Sequence, residues 1–242
     1  MSKTIIFIYG VLAYAVALIA QIWFILYIGE WEFMPTSISA QRPVPLSSAL
    51  MINLALVLIF ALQHSLMARA SFKKHLTRII PQAAERSTYV LFSGVALGLI
   101  CLYWQPIEGF LWRVDNEPGK VLLMAGYIFG WLFSLFSTFI INHFELFGLQ
   151  QIYLNLINKP EPPVYFKEKL LYKFVRHPIQ LGVLIGIWLT PAMSYSHLML
   201  SIALSIYIFI GLRYEERDLV SAWGNTYKAY QKRVRMLFPF PK

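Results

Sequence analysis

The sequence predicts an all-α fold: a polytopic membrane helical bundle with about six transmembrane segments, or five if the last two form a non-spanning hairpin. Two observations lead to this fold class. Of the 242 residues, 58% are hydrophobic and only 14% are charged, whereas about a quarter of the residues in soluble domains are charged. The apolar residues also form runs as long as a bilayer crossing, about 17 to 25 residues. No linker-like segment interrupts them, so we predict one integral membrane domain over residues 1–242.

The predicted crossings follow the apolar runs in chain order. They cover residues 5–28, 48–68, 88–104, 121–141, 179–195 and 197–213. The last two runs are short and tightly joined, and Pro191 marks the turn between them because proline lacks an N–H and interrupts a helix. We therefore expect either two short helices or an incompletely spanning hairpin at this end of the chain.

The basic residues predict the orientation. All but three of the 21 lysines and arginines fall at Lys3, in residues 69–86, in residues 142–180, or in the tail after residue 212. The exceptions are Arg42, Arg113 and Lys120. Because cytoplasmic loops carry the excess of Lys and Arg, this pattern favours six crossings with both termini in the cytoplasm, as in a bacterial inner membrane protein. The same pattern explains the net charge of +9 without a nucleic-acid partner.

We interpret the small residues of the fourth segment and the single cysteine as structural, not functional. The fourth segment carries small residues at three- and four-residue spacings, which predict close helix packing; they are Gly126, Gly130, Ser134, Ser137 and Thr138. Cys101 lies inside an apolar run and excludes both an intramolecular disulfide and a cysteine-cluster metal site. We predict no metal site and find no Rossmann glycine fingerprint.

Three polar stretches near the ends of the predicted crossings are candidates for function. His64 follows Gln63 in the second segment, where a hydrogen-bonded interfacial role is the alternative. Glu85 and Arg86 enter the third segment, where they could cap a helix whose first turn favours an acid. His143 and Glu145 follow the fourth segment, where a solvated helix exit is the alternative. Ionisable residues at membrane depth are costly, which makes them functional candidates.

The most distinctive pattern joins Arg176-His177-Pro178 to the pair Glu215-Glu216. Proline is tolerated in the first turn of a helix, so Arg176 and His177 should lie at a helix N-terminus, which suits an anion. The chain between them is long enough to cross, turn near Pro191 and return. We therefore expect both groups at the same cytoplasmic level, either as a binding site or as a structural Arg176–Glu216 ion pair.

Two family resemblances follow from these motifs. RHPxxxG, a short membrane hairpin, EE and a tyrosine-rich basic tail resemble the membrane-bound S-adenosylmethionine methyltransferases typified by isoprenylcysteine carboxyl methyltransferase and phospholipid methyltransferases. The stretches QHSLMAR, PQAAERSTYVLFS, YWQPI, LWRV and NHFELFGLQQ resemble the nurim-like family that includes bacterial methanethiol S-methyltransferase. This second resemblance covers nearly the whole chain. The family has an acidic residue before the histidine of the last motif, whereas this chain has Asn142.

The resemblance implies an S-adenosyl-L-methionine-dependent methyltransferase that converts a small thiol, methanethiol, to dimethyl sulfide. Alternatives are an isoprenylcysteine or lipid acceptor, or a non-catalytic nurim-like membrane protein. Membrane lipid is the other expected partner. The resemblance further implies that the hairpin and tail, residues 169–242, bind the cofactor through a set of nine residues. They are Arg176, His177, Pro178, Gln180, Leu181, Gly182, Glu215, Glu216 and Tyr227.

Methyl transfer to a thiol also requires proton removal, because the thiolate is the competent nucleophile. Three residues outside the hairpin are the candidates for this role. We expect His143 to act as base or proton relay and Glu145 to orient it, with His64 as a further candidate.

Overall fold

The computed structural model describes residues 2–31, 33–40, 44–163 and 165–238. Arg42 and Lys242, which entered the charge argument, lie outside these residues. The described chain is almost entirely helical, which confirms the predicted all-α membrane bundle. Its helices are α1 Lys3–Ile28, α2 Leu46–Ala68, α3 Ala70–Leu76, α4 Gln82–Tyr103, α5 Glu117–Ile141, α6 His143–Leu146, α7 Leu149–Leu156, α8 Pro178–Trp188, α9 Tyr195–Trp223 and α10 Asn225–Arg233. A 3₁₀ helix covers Leu170–Lys173, and strands β1 Phe110–Arg113 and β2 Ala192–Ser194 pair with each other.

Five helices, α1, α2, α4, α5 and α9, are long and apolar enough to cross a membrane. The most apolar 18-residue windows of these helices have mean hydropathies between 1.4 and 2.3. Apolar side chains also cover much of their outer surface: Ile19 is 65% exposed and Leu122 is 73% exposed. Such a surface is stable against lipid tails, which are as apolar as leucine. The chain is therefore an integral membrane protein.

The fifth predicted crossing is shorter than the sequence indicated. Residues 179–195 were expected to be helical, but α8 has 11 residues, or about 17 Å at 1.5 Å per residue. The hydrocarbon core is about 30 Å thick, so α8 alone does not cross it. The chain then leaves the helix, and the Pro191 carbonyl accepts a hydrogen bond from Val114 N at 3.0 Å. The count of five long helices agrees with the expected alternative, but only the first arm of the hairpin is short, because α9 has 29 residues and is long enough to cross.

The chain divides into two compact units. The first comprises residues 1–109, 142–163 and 194–197. Within it, α4 packs against both α1 and α2, and α7 packs against α1. A Cβ added to Gly94 on α4 would lie 2.6 Å from the Ala17 Cα on α1. The absence of a side chain at Gly94 thus permits the close α1–α4 crossing.

The second unit comprises residues 110–141, 164–193 and 198–242. Its main helix pair is α5 and α8. A Cβ added to Gly130 would lie 2.5 Å from Gly186 N, and one added to Gly182 would lie 2.6 Å from both Gly130 O and Ser134 N. The small residues on α5 therefore serve close helix packing, which confirms that prediction.

Candidate active site

The ion pair between Arg176 and Glu216 is the centre of the second unit's polar site. Arg176 lies two residues before Pro178, the first residue of α8, and Glu216 lies in the last part of α9. Arg176 Nε is 2.5 Å from Glu216 Oε1, and Nη2 is 2.9 Å from Oε2. This is the bidentate geometry that a planar guanidinium makes with a carboxylate. The predicted proximity of the two motifs is confirmed.

Three further side chains donate to the Glu216 carboxylate. His177 Nε2 lies 3.0 Å from Oε1, the Tyr227 hydroxyl lies 3.2 Å from Oε1, and Gln231 Nε2 lies 2.8 Å from Oε2. Burial and then the charge of Glu216 raise the pKa of Tyr227, so its hydroxyl stays protonated and donates. An ionised carboxylate is purely an acceptor, which suits this set of donors. Gln231 was not identified from the sequence.

The segment after α10 lies beside the residues that precede α8. Arg176 N donates to Arg235 O at 2.9 Å, and His177 N donates to Met236 O at 3.1 Å. Val175 and Arg235 form a parallel β-bridge, and Arg176 Nη1 donates to Val234 O. The backbone N–H groups of Arg176 and His177, expected near an anion, therefore hold the tail. Nothing in the local sequence signals this pairing, because it joins segments far apart in the chain.

The remaining residues of the predicted cofactor set have different environments. Glu215 is half-exposed, and its Oε2 is 3.7 Å from His177 Nδ1. Pro178 and Leu181 are buried in α8, whereas Gln180 is partly exposed. At Gly182 the backbone of α5 approaches closely.

An open cavity of about 550 Å³ lies within the second unit beside this ion pair. Its lining combines guanidinium, amide and apolar side chains; the residues are Arg176, Phe209, Gln231, Arg235, Met236, Leu237 and Phe238. Arg176 alone among them belongs to the predicted set. Four of the others are residues 235–238, and the pairing with residues 175–177 brings this segment into the site.

His143 forms the centre of a second polar site, in the first unit. It opens the short helix α6, whose N-cap Asn142 accepts a hydrogen bond from Glu145 N at 3.3 Å. The imidazole is 4% exposed, and its Nε2 is 2.9 Å from the Tyr14 hydroxyl. The Phe147 ring packs against it with centroids 4.6 Å apart. Burial lowers the pKa of His143, so the ring is neutral near neutral pH.

Glu145 lies in α6, and its side chain contacts Asn142. Asn142 Nδ2 donates to Glu145 Oε2 at 3.1 Å and to Gln150 Oε1 at 2.5 Å. These bonds tie the α6 turn to the start of α7. Tyr14, which contacts His143 directly, lies on α1 and was not identified from the sequence.

His64 lies on α2 and is hydrogen-bonded to α4. Its Nε2 is 2.7 Å from the Tyr89 hydroxyl, and its Nδ1 is 3.1 Å from Ser93 Oγ. Tyr89 belongs to a buried cluster against which Phe147 also packs. Tyr89 and Phe147 therefore connect the surroundings of His64 with those of His143. Over the described part of the chain, no group of three His, Cys, Asp or Glu side chains could hold a metal ion.

Sequence comparison establishes the family. The chain is 42% identical over 240 residues to a methanethiol S-methyltransferase of Crocosphaera subtropica, covering 99% of this chain and 94% of the relative. It is also 42% identical over 241 residues to a methanethiol S-methyltransferase of Mycobacterium tuberculosis, covering 100% and 98%. The chain belongs to the methanethiol S-methyltransferase family.

More distant similarity extends from this family to Nurim. The Nurim of Bos taurus is 29% identical over 175 residues, covering 69% of this chain and 66% of that protein. Both likenesses agree with the family resemblance found in the motifs. No family model matches the chain, and no solved structure matches it.

Proposed function

We propose that this protein transfers a methyl group from S-adenosylmethionine to methanethiol and so forms dimethyl sulfide. The observation that carries the proposal is the nearly full-length 42% identity to relatives named methanethiol S-methyltransferase. The protein acts in a bacterial inner membrane with both termini in the cytoplasm, a topology in which α8 and the segment that pairs with β1 together form the fifth of six crossings. The asymmetry of its basic residues supports that orientation.

The cavity in the second unit fits a ligand of the cofactor's size and chemistry. Its volume of about 550 Å³ lies within the range of small-molecule pockets, about 300 to 1,000 Å³. The guanidinium group of Arg235 suits the cofactor's carboxylate, and Phe209 and Phe238 offer apolar surface to its adenine. When bound, S-adenosylmethionine supplies an electrophilic methyl group on a sulfonium.

The predicted cofactor residues then have three roles. Glu216, with its donors Arg176, His177 and Tyr227, holds the tail that forms one wall of the cavity. Glu215, which is half-exposed, is the carboxylate available to accept from ribose hydroxyls. Pro178, Gln180, Leu181 and Gly182 form the first turns of α8 and position the residues that precede it.

The first unit provides the proton acceptor in this proposal. A neutral histidine can take the proton of a thiol, and burial keeps His143 neutral. Tyr14 fixes the orientation of the ring, while Glu145 steadies the α6 turn through Asn142. His64 is the second candidate, held by Tyr89 and Ser93.

Purified protein incubated with methanethiol and methyl-labelled S-adenosylmethionine tests the proposal. We expect volatile labelled dimethyl sulfide and saturable binding of the cofactor. Label in lipid, with none in dimethyl sulfide, would show that the acceptor is wrong. Failure to bind the cofactor would show that the protein is not this enzyme.

Variants test the location of the cofactor. Arg176→Ala and Glu216→Ala should each abolish cofactor binding in calorimetry. Arg233→Ala is the matched control, because it removes an arginine whose ion pair with Glu168 at 2.8 Å is largely exposed. Binding that survives in all three variants would contradict this location.

A further inference from the structure

Arg86 lies in the second turn of α4, in the first unit, and two contacts hold its guanidinium. Nε donates to the Leu146 carbonyl of α6 at 2.7 Å. The guanidinium carbon also lies 4.9 Å from the centre of the Tyr89 ring. An arginine at a membrane boundary usually extends toward water or lipid headgroups. These contacts instead turn Arg86 toward the α6 turn and the neighbouring face of α4.

Most hydrogen-bond donors of Arg86 are left without an acceptor. A guanidinium has five N–H donors, and the Leu146 carbonyl takes the one on Nε. Within residues 2–31, 33–40, 44–163 and 165–238, no side chain or carbonyl accepts from the two terminal nitrogens of Arg86. The adjacent Glu85 is directed to Lys73, with 3.8 Å between Oε1 and Nζ. The cation therefore lacks a partner anion in this part of the protein.

The two contacts of Arg86 link it to the elements that carry the candidate histidines. Tyr89, which lies against the guanidinium, has its hydroxyl 2.7 Å from His64 Nε2. Leu146, which accepts from Arg86, closes the four-residue helix that His143 opens. The guanidinium is thus bound to the same short turn that carries the proposed proton acceptor.

Gly148 keeps this turn close to Arg86. Its φ of +85° is a conformation that other residues rarely adopt. A Cβ at this position would lie 2.9 Å from Ser87 N and 3.2 Å from Arg86 C. The chain after α6 therefore packs directly on the α4 backbone at Arg86. The position of the guanidinium relative to α6 is set by backbone contacts, not by a flexible side chain alone.

We propose that Arg86 binds the sulfur of the substrate as a thiolate; this inference rests on the proposed function. An alkyl thiol is largely protonated near neutral pH, and the thiolate is its nucleophilic form. When the S–H bond breaks, the proton goes to the neutral imidazole of His143 and the electron pair stays on sulfur. The guanidinium stabilises the resulting negative charge, most strongly where water is scarce. Arg86 thereby lowers the cost of forming the nucleophile.

The direct test measures thiolate in the absence of cofactor. Purified protein is mixed with methanethiol near neutral pH, and the ultraviolet absorbance of bound thiolate is recorded. Arg86→Gln should reduce this signal at least about tenfold, because the neutral amide no longer offers the charge-assisted hydrogen bonds that stabilise the thiolate. Arg78→Gln is the matched control: it removes an exposed arginine of the same basic segment, residues 69–86, and should leave the signal unchanged.

Arg86→Lys distinguishes the loss of the positive charge from a loss of folding. It keeps the cation without the planar fork, so we expect more bound thiolate than in Arg86→Gln and a rate of methyl transfer that follows the thiolate signal. Cofactor binding should be unchanged in both variants. Wild-type thiolate signal and rate in Arg86→Gln would overturn the inference, as would identical losses in the Lys and Gln variants. A wild-type protein that forms no dimethyl sulfide would instead contradict the proposed function.

Discussion

At the scale of single residues, Glu216 holds the polar site of the second unit together. Its carboxylate receives hydrogen bonds from Arg176, His177, Tyr227 and Gln231. The side chains of Arg176 and Glu216 are only 9% and 13% exposed. A pair this well shielded from water depends on both partners, because the loss of either leaves an uncompensated charge.

We expect Glu216→Gln to destabilise the protein by about 3 to 5 kcal/mol, the usual cost of breaking a buried ion pair. The new amide also presents a donor toward groups that are themselves donors. Unfolding in detergent, followed by circular dichroism, measures the change. Glu168→Gln, which breaks an exposed ion pair with Arg233, should cost about 0 to 1 kcal/mol. Equal effects of the two substitutions would contradict the central role of Glu216.

The environment of His143 predicts how methyl transfer depends on pH. The base must be neutral, and burial lowers the pKa of His143. Activity should therefore be retained as pH falls through about 6.5, the ordinary histidine value, and be lost only at lower pH. A pH profile of kcat, recorded with saturating cofactor, measures this loss of activity at low pH. His143→Gln should remove it and reduce kcat by roughly 10²- to 10⁴-fold; a profile that falls at or above the ordinary value would contradict the assignment.

Tyr14 should affect the reaction through the orientation of His143. Tyr14→Phe removes the 2.9 Å hydrogen bond to Nε2, and a misplaced catalytic group costs up to roughly a hundredfold in rate. We expect kcat to fall while cofactor affinity stays the same. Tyr153→Phe is the control, since Tyr153 is a 53% exposed tyrosine of the same unit. A Tyr14→Phe enzyme with wild-type kcat would rule out the positioning role.

At the scale of elements, α8 shows why part of the site was predictable. Pro178 was expected in the first turn of a helix, and α8 begins there. The end of α8 at Trp188 lies three residues before Pro191, which was expected to interrupt the helix, but the sequence did not predict the strand that follows. Pairing of β2 with β1 ends the helical arm, and an apolar run does not reveal such a pairing.

Close packing of α5 and α8 gives a prediction about Gly182. A Cβ there would lie 2.6 Å from backbone atoms of α5, which cannot move independently. Gly182→Ala should therefore destabilise the protein by about 1 to 3 kcal/mol, as overpacking commonly does. Gly211→Ala, at a helical position where a Cβ meets nothing within 4 Å, should be neutral or stabilising. Thermal unfolding of the two variants compares them, and a stable Gly182→Ala protein would contradict the packing.

At the scale of the whole molecule, the chain comprises two compact units, each with its own polar site. The first carries His143, His64 and Arg86, and the second carries the Glu216 network and the cavity beside it. The prediction of one domain over residues 1–242, with the cofactor bound within residues 169–242, stays a prediction.

The charge pattern predicts the topology of the molecule. In a Cys101→Ala background, the variant Asp115→Cys should react with a membrane-impermeant thiol reagent on intact cells. Ser71→Cys should react only after permeabilisation, because the many basic residues in 69–86 predict that this segment faces the cytoplasm. Mass spectrometry of the labelled protein reports the result. The reverse pattern would contradict the proposed orientation.

The sequence by itself determined the membrane class and the proximity of the Arg176 and Glu216 motifs, and it left the number of long helices open between six and five. Apolar run length, charge asymmetry and a proline-marked helix start are local properties that act before any tertiary contact forms. Packing decided the rest. Tyr14 meets His143 across 129 residues, Arg86 meets Leu146 across 60, and residues 235 and 236 pair with the start of the hairpin. No local pattern encodes these contacts, because each depends on which faces of the helices pack together.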